Sequence, residues 1–102
     1  MAEKSWSDLL GEFIPDLAEL ARQDSEFMAR DTALPSRIKY VMAMMLDAVY
    51  NHPRGVTLYG KRAQDGGATL DEIADAIRIL RMFGGRPAMA TGAEGLRELK
   101  KK

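Results

Sequence analysis

The chain's one histidine, His52, stands in the run Tyr50-Asn51-His52-Pro53-Arg54-Gly55-Val56-Thr57-Leu58-Tyr59, where two helical patterns meet. Imidazole is the side chain best suited to move protons near neutrality, so His52 is the first candidate for acid/base chemistry. Asp47 is the only acidic residue between Ser36 and Gln64. It could orient the ring, while Tyr40 and Tyr59 could hydrogen-bond a substrate oxygen. Each has a structural counterpart. His52 can cap the C-terminus of the preceding helix, where a partly cationic ring suits the exposed carbonyls. Asp47 can bond Asn51 or a partner from a helix edge, and its separation of five residues from His52 is a poor same-face spacing. The chain has no cysteine, which removes disulfides, thiolate metal sites, a nucleophilic thiol and a dithiol redox couple. One histidine without cysteine also argues against a metal site, and no cofactor is expected.

These residues must be positioned by helices. Ser5 or Ser7 can cap a first helix with Asp8 in its first turn and Leu9, Leu10 and Phe13 on its apolar side. Pro15 opens a second, over residues 15 to 30, with Leu17, Leu20, Ala21, Phe27 and Met28 inward. Leu34-Pro35 breaks the pattern. Ser36 then caps a third helix, in which Ile38, Val41, Met42, Met45, Leu46 and Val49 follow the helical period. A second stripe, Tyr40, Met44, Asp47 and Asn51, shares the same helix, so more than one face must be covered, by other helices or by another subunit. Pro53 opens a fourth helix to Asp65, with Val56, Tyr59, Gly60 and Ala63 closely spaced and Gly60 suggesting close backbone approach. Gly66-Gly67 ends it. Thr69-Leu70-Asp71-Glu72 reads as a capping box for a fifth helix with Ile73, Ala76, Ile77, Leu80 and Phe83 buried. Gly84-Gly85 stops that helix, and Pro87 starts a last one through Met89, Leu96 and Leu99. No strand pattern appears.

At 102 residues the chain is expected to form one domain over residues 1 to 102, burying somewhat over about 60% of its extended surface. Fifteen basic and fifteen acidic residues cancel, so net charge recruits neither nucleic acid nor an anionic membrane. The run Lys100-Lys101-Lys102 reads as a solvated tail. The longest apolar stretch, residues 41 to 46, is far short of the ~20 residues a bilayer requires, and the start lacks a signal-like segment. A cytoplasmic protein is expected.

Three blocks carry a family resemblance: Leu34-Pro35, Gly66-Gly67-Ala68-Thr69-Leu70-Asp71-Glu72-Ile73 and Phe83-Gly84-Gly85-Arg86-Pro87-Ala88. With their spacing, residues 34 to 90 resemble the carboxymuconolactone decarboxylase and alkyl hydroperoxidase D-like family. The resemblance implies an all-α subunit of about six helices that assembles as a homo-trimer or hexamer. In the hydroperoxidase branch it implies a Cys-x-x-Cys pair, a histidine four residues after it and a glutamate twelve residues before it. Counted back from Gly67, the histidine position falls on Tyr59, the cysteine positions on His52 and Gly55, and the glutamate position on Tyr40. None of the four is retained, so thiol peroxidase chemistry is excluded. The decarboxylase branch usually keeps the histidine, here Tyr59, and a phenol is a poor base near neutrality.

Residues 56 to 83 are also similar in outline to a helix-turn-helix DNA reader. Asp71, Glu72 and Asp75 at the front of the second helix stand where phosphate contacts need basic or amide side chains, so no nucleic-acid partner is expected. The sequence thus points to a non-redox oligomer that binds, and could transform, a small carbonyl or carboxylate compound at His52, Tyr59 and Tyr40, with Asp47 behind them. The alternative is a non-catalytic oligomeric accessory protein.

Overall fold

A computed structural model describes residues 3–99; the tail at Lys100 to Lys102 lies outside the described residues. These residues form five α-helices and a terminal 3-10 turn, with no strand among them. They divide into two compact units, one up to Thr32 and one from Ala33 onward.

The first unit is a helical hairpin of α1 (Trp6–Phe13) and α2 (Pro15–Ala29). Ser5 caps α1: its hydroxyl accepts from the Asp8 N–H at 3.2 Å while the Asp8 carboxylate accepts from the Ser5 N–H, the reciprocal cap that satisfies two orphan donors. Pro15 opens α2 as expected. Arg22 bridges Glu19 and Glu26 along one face of α2. Its hydrogen bonds hold the Glu19 carboxyl down at about 2. Neither helix contains a buried residue. Leu17, Leu20 and Phe27, expected to point inward, are exposed, because two short helices have too little surface to enclose their apolar faces.

The second unit contains α3 (Ser36–Val49), α4 (Pro53–Asp65), α5 (Leu70–Glu94) and the 3-10 turn Gly95–Glu98. Ser36 is the first residue of α3 and does not cap it; Pro35 occupies the cap position without a side-chain bond. Thr69 and Glu72 form the expected box, each side chain accepting from the other's backbone N–H at 3.0 Å. The Thr69 N–H, aided by the Arg37 charge, holds the Glu72 carboxyl below its ordinary value. The break at Gly84-Gly85 is present as a kink: Gly85 adopts φ 81° and ψ −179°, a region open essentially to glycine alone. The chain folds back there, so that Gly92 packs under Leu80 and Ile77 and Gly95 under Val56. The last helix therefore ends at Glu94 rather than running through Leu96 and Leu99.

Met44, Ile73 and Val56 are the largest fully buried side chains, each contributing about 1.5–3 kcal/mol of hydrophobic stabilisation. Val56, Gly60 and Ala63 are buried along α4 as expected, and Gly60 sits against the Met44 sulfur. Two assignments are corrected. On α3 the buried residues are Lys39, Tyr40, Val41, Met44 and Ala48, so Tyr40 and Met44 of the second stripe face the core together with Val41 of the first. Met42, Leu46 and Val49 are exposed, Leu46 to 58%. On α5, Ile73, Ala76, Ile77 and Leu80 are buried, but Phe83, at the bend, is 85% exposed.

Candidate functional site

Helices α3 and α4 run antiparallel: Asp47 lies against Gly55, Met44 against Gly60 and Tyr40 against Tyr59. The four predicted site residues all lie along this helix pair, yet they form two clusters. Tyr59 follows His52 by seven residues, two turns or about 10 Å of helix. The antiparallel register pairs each tyrosine with the other and the histidine with the aspartate.

At the junction, α3 ends at Val49, and Asn51 takes φ 60°, a left-handed conformation that Asn tolerates better than most residues. The reversal brings the His52 N–H to the Asp47 carbonyl at 2.7 Å. It also brings the His52 Nδ1 to the Asp47 Oδ1 at 3.4 Å, a long hydrogen bond. A five-residue separation unsuited to a continuous helix thus becomes a contact across a turn. The ring is 65% exposed while the Asp47 side chain is 24% exposed. In the tautomer whose Nδ1–H donates to the carboxylate, Nε2 is left as a proton acceptor, the arrangement a general base requires. Asn51 accepts from the Thr91 hydroxyl at 2.9 Å, which ties the junction to the folded-back part of α5.

Gly55 makes room for this pair. A Cβ built at Gly55 would lie 1.8 Å from the Asp47 Oδ2, so the carboxylate occupies the space that any side chain there would fill. Asp47 also sits beside the first turn of α4, where a negative charge complements the partial positive charge of the unpaired backbone N–H groups.

The second cluster is aromatic. Tyr40 and Tyr59 stack with centroids 6.0 Å apart and planes 16° from parallel. The Arg62 guanidinium lies 6.0 Å from the Tyr40 centroid and 5.8 Å from that of Tyr59, a cation on two ring faces. Tyr40 is buried to 9% exposure. Arg62 could have been found from its place three residues after Tyr59. Gly55 and Thr91 carry no such signal, because their roles depend on the fold.

Among the described residues, no group of three or more His, Asp or Glu side chains could hold a metal ion. No buried side-chain nitrogen or oxygen there lacks a hydrogen-bond partner. No helix among them is long and apolar enough to cross a membrane. Comparison with family models, with curated proteins and with solved structures finds no match in any of the three.

Proposed function

We propose that this chain is a divergent, cysteine-free member of the carboxymuconolactone decarboxylase-like family that works as a homo-oligomer. It binds, and transforms by non-redox acid/base chemistry, a small carbonyl or carboxylate compound at the α3–α4 junction. The observation that carries the reading is the Asp47–His52 contact through Nδ1, made by a ring that is 65% exposed. A base of this kind removes a proton next to a carbonyl or returns one to a leaving group. Tyr40 and Tyr59 stack further along the helix pair, and their part in the reading is to fix the register that brings Asp47 to His52.

The test is a thermal-shift panel of small 2-oxo acids, lactones and aldehydes. A true ligand raises the unfolding temperature of the wild type. The shift is expected to be lost in His52→Ala, reduced in Asp47→Asn and kept in Tyr59→Phe. Hits that survive both His52→Ala and Asp47→Asn would move the site away from the junction.

The exposure of His52 favours a second reading, a non-catalytic oligomeric accessory protein on the same scaffold, since an enzyme ordinarily shields its base from water. A panel without hits, together with an oligomer by sedimentation, would select it.

A further inference from the structure

The two units differ in charge as well as in core. Residues 1–32 carry eight acidic and three basic side chains, and residues 33–102 carry seven acidic and twelve basic ones. Each unit also exposes large apolar residues within a single copy. On the hairpin these include Trp6, Phe13 and Leu20; on the second unit they include Leu46 of α3 and Met82 and Phe83 of α5. The α3 and α5 residues form one surface, because Val49 at the end of the α3 stripe lies 3.4 Å from where a Cβ on Gly84 would stand. Arg78, Arg81 and Arg86 are exposed on the same α5 segment.

We propose that the acidic α1–α2 hairpin of one copy docks through its apolar face onto the basic-flanked α3–α5 face of a second copy. The inference rests on the oligomer in the reading above and names the surface that builds it. Three physical arguments select this occupant. A hairpin of about 30 residues without a buried side chain is below the size that sustains its own core, and association is the usual remedy. Opposite net charges favour hairpin against helical unit, whereas hairpin against hairpin, or unit against unit, would bring like charges together. The pairing joins two different surfaces, which generates closed rings when the rotation between copies closes. An anionic membrane is a poor occupant for the hairpin, whose charge has the wrong sign.

The absence of cysteine makes the test direct. Leu20→Cys is placed in one full-length chain carrying a mass tag and Met82→Cys in an untagged one, and the mixture is treated with a short bismaleimide. The tagged–untagged product is expected about tenfold above like-with-like products, the ratio that a preference of about 1.4 kcal/mol gives. Sedimentation of Leu20→Glu and Leu46→Glu, both exposed positions that leave helicity by circular dichroism intact, is expected to show association weakened at least about tenfold. An oligomer in which like-with-like products match or exceed the mixed one would overturn hairpin docking while leaving the oligomer standing. A wild-type monomer at micromolar concentration would overturn both. Linkage confined to one chain carrying both cysteines would place the hairpin on its own copy and overturn exchange.

Discussion

The two ends of the α3–α4 pair are built on opposite terms. At one end a buried Tyr40 stacks on a half-buried Tyr59, with an exposed Arg62 over both rings. At the other, Asp47 and His52 meet across a left-handed turn, with the ring in water. The first end gains its contacts from burial and shape. The second keeps a proton acceptor accessible by leaving a side chain out at Gly55. The difference teaches that helical register, rather than chemical kinship, decides which candidate residues work together.

The largest expected effect falls at the buried end. Tyr40→Ala removes a core aromatic together with its stack and should lower the unfolding free energy by about 3–5 kcal/mol in a urea titration. A loss below about 1 kcal/mol would mean that the column contributes little. At the open end, Gly55→Ala forces a methyl onto the Asp47 carboxylate and should cost about 1–3 kcal/mol. Adding Asp47→Ala to it should restore most of that loss. Simple additivity of the two changes would refute the contact as the cause.

Acid gives a smaller effect at the α5 cap. The depressed Glu72 carboxyl contributes stability that is fully present above its unfolded value and is lost as the pH falls through its folded value. Glu72→Gln should therefore flatten part of the acid dependence of stability below about pH 4.5, and an unchanged acid profile would assign that dependence to other carboxylates. The smallest change is expected from His52→Ala. The ring is mostly exposed, so stability should move by less than about 0.5 kcal/mol even where ligand-induced stabilisation disappears. A large stability loss would instead make His52 a structural cap.

Much of the fold was legible because its boundaries are written in local chemistry. Pro15, Pro53, the Thr69–Glu72 box and the glycine pairs each act through one or two dihedrals or hydrogen bonds, and helices begin, end or kink there. The face of α3 was not legible. Both of its stripes contain apolar residues, and periodicity reports that a face is apolar without reporting what covers it. Phe83 misled for a related reason: it continues the α5 period into the bend, where the chain turns away beneath it. The Asp47–His52 contact was half visible. The residue types suggested it, but the five-residue spacing argued against it until Asn51 was seen to reverse the chain.

The crowding at Gly55 also constrains how this sequence can change. Any side chain at that position collides with the Asp47 carboxylate, so that Gly55→Cys is a poor first step from the present chain. A route toward a thiol site must shorten or remove the side chain at 47 before 55 can gain one. The order of substitutions is therefore imposed by a single carboxylate.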